Sequence, residues 1–261
     1  MKTQQLYYQH YSKQIPISSL HDIPIDGDGY QGPYPQQDFS ILDSSPQVFF
    51  KNIEEHLINF IQQTRYCVGC IAWLTNFRIL EALSSLKGVA FLVQKEDFLR
   101  PEYPSAHSTT WKQDLRKAYE SLPGTFERYN FIETSQLSVC SDPSLPPVRC
   151  VGFAKHNGQI SVPRMHHKFL VSGNLETVTE TWKDSEGIVR MYEHYHFVPE
   201  RVWTGSYNFS HNAELSFENC MILDDPKIVQ AYMNEWGQLE ALSEDLDWSS
   251  QWAEPEWRIG T

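Results

Sequence analysis

No stretch of this 261-residue chain is apolar for long enough to cross a bilayer. The longest runs, Cys67 to Leu74 and Val89 to Val93, fall well short of the ~20 residues a spanning helix needs. The N-terminus, MKTQQLYYQHYSKQIP, has no apolar leader core, so a cytoplasmic address is expected. Cysteine is scarce: five residues, at 67, 70, 140, 150 and 220, an odd number without framework spacing. That pattern favours reduced thiols over a disulfide scaffold. Cys67 and Cys70 have C-x-x-C spacing, but they lie in an apolar run and no second pair completes a zinc set, so a buried structural role is expected. Positive charge is short too, with 21 Lys and Arg against 33 Asp and Glu, a formal net charge of −12. Such a chain is repelled by polyanions at long range, which argues against a general nucleic-acid coat. Any polyanionic substrate must be met by a focused local site. Internal repeats are also missing.

What remains is a globular composition, 41% hydrophobic and 13% aromatic. Residues 1–45 are rich in Pro, Gly, Tyr and Gln, with turn signals at Asp26-Gly27-Asp28-Gly29, and read as an irregular arm lying on the domain or on a partner protein. From Pro46 the spacing of Val48, Phe49, Ile53, Leu57, Ile58 and Phe60 predicts a helix. A strand from Tyr66 to Trp73, a helix from Asn76 to Leu86 and a strand from Val89 to Val93 make a βαβ unit with a parallel pair. Further helices are expected over Thr110–Leu122 and from Asp225-Pro226 to Leu242, the latter with Pro at its favoured first position. Strands are expected near Arg128–Ile132, Val148–Ala154, Lys168–Ser172, Arg201–Thr204 and Cys220–Leu223. The main domain then spans 46–242. A tail, 243–261, is acidic and carries Trp248, Trp252 and Trp257. It reads as a covering strap, or more sharply as a docking segment for a partner protein.

Two short stretches carry the chemistry: Met165-His166-His167-Lys168-Phe169-Leu170-Val171 and Val202-Trp203-Thr204-Gly205-Ser206-Tyr207-Asn208, with Glu218 following. Attack on a phosphodiester needs a nucleophile, a proton donor for the leaving oxygen and positive groups around the phosphoryl oxygens. His166 can attack as neutral imidazole. Lys168, two residues on, shares its side of an extended strand. Ser206 and Asn208 alternate in the same way and offer an O–H and an N–H₂. Gly205 is expected to let the backbone approach substrate, and Glu218 to fix the imidazole tautomer. His167 should face the other way. Arg149, Lys155 and Arg164 are candidates for a basic approach.

These residues resemble the His-x-Lys and Gly-Ser-x-Asn halves of the phospholipase D superfamily, above all its single-motif nuclease branch. The resemblance is strong from Met165 to Tyr232 and weaker from Pro46 to Val93. It implies an α/β half-domain with a mixed sheet flanked by helices on both faces. It implies a phosphohistidine on His166 and no metal or other cofactor. It also implies a homodimer, because the family site needs two motif copies, each subunit giving one histidine. His166 would be nucleophile in one subunit and general acid in the other. Lys168, Ser206, Asn208 and Gly205 would hold the phosphoryl group, and Glu218 would orient His166. A nucleic-acid substrate is the leading expectation. The alternatives are a phospholipid substrate, which the lack of an amphipathic membrane segment disfavours, and a silent binding subunit of a defence or repair assembly.

Two departures stand out. The family aspartate five residues after the lysine falls on Gly173, and the link to Gly-Ser-x-Asn is replaced by an insertion of about 174–200. Alternating Val178, Trp182, Ile188, Val189 and Tyr192 around Ser185-Glu186-Gly187 predict a β-hairpin there. It would extend the sheet or act as a lid at the pocket mouth. Asp184 is a disfavoured substitute for the missing aspartate. His194 and His196 read as surface histidines.

Overall fold

The computed structural model describes residues 42–43, 45–99, 109–131, 143–154 and 163–248. Its centre is a seven-stranded mixed sheet in the order β1-β7-β6-β5-β2-β3-β4. The strands are β1 (Gln47–Phe49), β2 (Tyr66–Ile71), β3 (Gly88–Gln94), β4 (Val148–Val151), β5 (Lys168–Lys183), β6 (Val189–Gly205) and β7 (Cys220–Leu223). β2, β3 and β4 run parallel, while β5 lies antiparallel to β2 and to β6. Four α-helices cover it: α1 (Ile53–Gln62), α2 (Phe77–Ser84), α3 (Thr109–Glu120) and α4 (Pro226–Ala241). The parallel βαβ unit expected from the apolar pattern is β2-α2-β3.

Both faces of the sheet are buried, which is why β2 and β3 read as continuous apolar runs rather than alternating ones. Leu57, Phe60 and Ile61 of α1, Ile79 and Leu83 of α2 and Leu115 of α3 pack on one face, with Ile71, Val93, Leu170 and Trp203 beneath them. On the other face Val229, Met233 and Trp236 of α4 meet Val68, Leu92, Val171 and Val202. Trp203 is fully buried, its ring stacked on Phe49 at 5.0 Å. Truncating such a ring typically costs about 3–5 kcal/mol. Cys67 and Cys70 lie inside this packing, fully buried, and burial pushes both thiols well up.

Helix ends follow local chemistry. Asn76 accepts from the backbone N–H groups of Arg78 and Ile79 at 2.9 and 3.3 Å, which starts α2. Asp225 caps α4 in the same manner ahead of Pro226. Two expectations fail. Val48 and Phe49 belong to a short edge strand paired with β7, not to α1, because Asn52 at φ 51° turns the chain sharply before the helix begins. Arg128–Phe131 is a 3₁₀ turn, not a strand, with Asn130 accepting from the N–H of Glu127 at 2.7 Å.

The tail begins as a strap. Glu244 exchanges backbone hydrogen bonds with Cys150 beside β4. Its carboxylate meets the buried Lys95 ammonium at 2.6 Å, and that ammonium also lies over the Trp248 ring at 4.5 Å. Residues 1–41, Cys140, Lys155, Trp252 and Trp257 lie outside the described residues.

β5 and β6 form one long hairpin, which accounts for the insertion. Gly173 faces Tyr66, the first residue of β2, so everything beyond it passes the end of the sheet and pairs only with β6. The base of this arm is anchored: Phe197 packs on Phe126 and Phe131, and Asn130 donates to the Tyr195 carbonyl at 2.8 Å. Further out, Trp182, Met191 and Tyr192 are exposed. A lid role over the chain's own site is excluded by direction. β5 starts at Lys168 and runs away from it, so the turn lies on the order of 50 Å of strand from Lys168. Asp184 sits at that turn, accepting from the N–H groups of Glu186 and Ile188 and from Arg190, and does not reach the site.

Candidate active site

Polar residues of both motif halves gather where β2 and β3 end and where β5 and β7 begin, the edge at which parallel sheets usually hold ligands. Antiparallel pairing brings the two halves together. Lys168 lies opposite Ile71, the last residue of β2, and Phe169 opposite Thr204 of β6. The chain leaving β6 is tied to β2 by hydrogen bonds from Thr75 and Asn76 to the Phe209 carbonyl at 2.7 and 2.9 Å.

His166 is exposed and Lys168 is buried, only 7% of its surface remaining accessible. The Lys168 ammonium lies 3.1 Å from His166 Nδ1 and donates to the His166 carbonyl at 2.8 Å. Trp73 stands edge-on to His166, ring centroids 5.5 Å apart, with the same ammonium 5.9 Å from its ring. Partial burial, then the charges of Lys168, Arg164 and His167, hold the His166 imidazole below the usual histidine range. Burial also lowers Lys168, and the Glu218 carboxylate works against that shift. Both shifts favour the uncharged forms, so the imidazole is biased toward its neutral, nucleophilic state.

Ser206 donates to Glu218 in a close hydrogen bond and accepts from the N–H of Asn219 at 3.0 Å. Among the described residues, the hydrogen bond of Glu218 runs to Ser206 and not to His166, whose Nδ1 faces Lys168. The expected orienting contact is thus not made within one chain. Asn208 has its side-chain oxygen enclosed without a hydrogen-bond partner among the described residues. Gly205 also departs from its expected part. A Cβ there would meet the Asn219 carbonyl oxygen at 2.0 Å and Cys220 at 2.7 Å, so the glycine admits β7 rather than substrate. His167 faces the opposite side, 3.0 Å from Glu235 of α4.

Of the candidate cations, Arg164 flanks His166 and pairs with Glu96 at 3.3 Å. Arg149 is 1% exposed and bonds Ser243 and Asp245, so it holds the strap and gives no basic approach. Sequence reasoning missed a cavity of about 410 Å³ beside the cluster, with Asn208 and Glu218 in its wall and Trp73, Phe98 and Trp111 around it. The one readable signal was Trp73 itself, a large aromatic at the carboxyl end of a central strand.

This is an α/β half-domain of the kind the two motifs imply, with a His–Lys pair and a Ser–Glu pair at one end of its sheet. The chain belongs to the same family as uncharacterized protein L381 of Acanthamoeba polyphaga mimivirus, with 32% identity over 229 residues covering 80% of this chain and 70% of that protein. No family model matches it. Among solved structures it is similar to NucT from Helicobacter pylori (16% identity, 75% of this chain and 94% of that one, TM-score 0.40). It is also similar to Nuc from Salmonella typhimurium, a phospholipase D family member (13% identity, 77% and 97%, TM-score 0.42). A third is the phosphatidylserine synthase of Haemophilus influenzae Rd KW20 (14% identity, 81% and 43%, TM-score 0.37).

Proposed function

We propose that this protein is a metal-independent phosphodiesterase, a nuclease acting on nucleic acid, whose working site needs a second copy of the chain. The observation that carries the reading is the exposed His166 held 3.1 Å from the Lys168 ammonium. That is a nucleophile with a cation beside it for the phosphoryl oxygens. His166 Nε2 attacks phosphorus, the P–O bond to the leaving group breaks, and the leaving oxygen takes a proton from an imidazolium. Among the described residues one chain supplies one such histidine in this cluster, so His166 of a second copy, the two rings sharing one proton, is the donor. Water then attacks the phosphohistidine, that second imidazole takes its proton, and His166 is released. Lys168, Ser206 and Asn208 neutralise the phosphoryl oxygens, and Glu218 fixes Ser206 through their hydrogen bond. Asn208 would act on the phosphoryl group through its amide N–H₂, the donor side of the side chain.

Separation under alkaline denaturing conditions, which preserve a phosphohistidine, of the reaction with a radiolabelled oligonucleotide in EDTA tests the mechanism. Label is expected on His166, and His166→Ala should abolish both labelling and turnover. Undiminished turnover in that variant contradicts the mechanism.

A further inference from the structure

The cavity shares Asn208 and Glu218 with the cluster, but its aromatic wall is not needed by the phosphoryl chemistry. We propose that it is a nucleobase subsite, taking one unpaired base attached to the phosphate under attack; this rests on the nuclease reading above and names the form of its substrate. The wall has two kinds of surface. Trp73 follows β2, Phe98 lies in the 3₁₀ turn after β3 and Trp111 is on α3, so three elements converge their rings on one space. Phe98 and Trp111 stand 5.8 Å apart at 59°. The segment leaving β6 adds amide and hydroxyl groups to the wall, among them Asn208 and Asn212.

That combination discriminates between ligands. Among the described residues no Lys or Arg lines the cavity, and its carboxylate Glu218 accepts from Ser206, so the aromatic part of the space is not built for phosphate. An acyl chain would leave the amide and hydroxyl side without partners. A base offers a flat π-face for the rings and a polar edge for the amides. The volume of about 410 Å³ falls within the ~300–1,000 Å³ typical of small-molecule sites. Trp73 belongs to both places, its ring edge-on to His166 and its side in the cavity wall, which puts a bound base next to the reacting phosphorus. A base in a duplex would first have to be extruded, so the subsite selects single strands.

Equilibrium binding to the full-length His166→Asn protein tests this with three probes. These are a short labelled single strand, its duplex, and the same strand made of abasic residues. The base-bearing single strand should bind more tightly than either, by a factor in the range of roughly 5 to 150 that stacking of one base supports. Adding Trp111→Leu should remove the preference over the abasic strand, and Phe98→Leu should do likewise, with thermal melts verifying that both variants fold. Equal binding of the base-bearing and abasic strands overturns the subsite, as does full preference in both variants. Hydrolysis of bis-para-nitrophenyl phosphate by the wild type, with no base preference, removes the subsite and leaves the phosphodiesterase reading standing. Failure to hydrolyse any diester removes that parent reading instead.

Discussion

At His166, partial burial and neighbouring cations act in one direction, each disfavouring the imidazolium. The neutral, attacking form therefore persists to lower pH than in an ordinary histidine, and the acid limb of the activity profile should lie correspondingly low. Burial is the larger cause and the Lys168 charge the next. Lys168→Met should accordingly raise the His166 titration part of the way back, followed by NMR of labelled histidine; an unmoved titration contradicts the charge coupling. Gly173 makes a second residue-scale case. A Cβ there would meet the Val198 carbonyl oxygen at 2.3 Å and the Phe197 ring at 2.8 Å, at the point where the β5–β6 register shifts. Gly173→Asp, which restores the residue expected from the resemblance, should therefore destabilise the fold, by about 1–3 kcal/mol or more in denaturant unfolding. His166, Lys168, Ser206 and Asn208 could be proposed together from residue chemistry and the two motif halves, although His166, Ser206 and Asn208 lie just outside β5 and β6 and not on them. The Ser206–Glu218 bond could not, since it depends on how closely β7 follows the loop after Gly205.

Among the elements, the β5–β6 arm is where pattern and position part company. Alternation over Val178–Tyr192 announced a hairpin, and a hairpin forms, but alternation is silent about direction. Pairing of Lys168 with Ile71 and of Gly173 with Tyr66 decides it, sending the arm off the end of the sheet opposite His166. Val48 and Phe49 illustrate the converse: their spacing suited a helix, but pairing with β7 and the turn at Asn52 override it. Along the outer arm both faces meet solvent, and Tyr192, His194 and His196 stack only on one another. Replacing residues 179–193 with an Asn-Gly turn, which keeps Val178 opposite His194, should leave the melting temperature and the hydrolysis of a small diester nearly unchanged. A large loss of either would mean that the arm supports the domain or completes the site.

For the molecule as a whole, net charge of −12 and attack on a polyanion are reconciled by confinement. Among the described residues, positive charge at the site comes from Lys168, 3.1 Å from His166, and from Arg164, whose charge also acts on that imidazole, while the aromatic cavity next to them needs no charge to hold a base. The sheet, its two covered faces and the motif cluster were legible because each follows from periodicity or residue chemistry within short windows. The cavity was not, since Trp73, Phe98 and Trp111 come from three separate elements. The central claim is that one chain carries half a site. Co-refolding wild-type protein with an equal amount of His166→Ala tests it most directly, because random pairing leaves wild-type pairs as the active species. Activity per wild-type subunit should fall to roughly half. Activity that stays unchanged in the mixture would contradict the account.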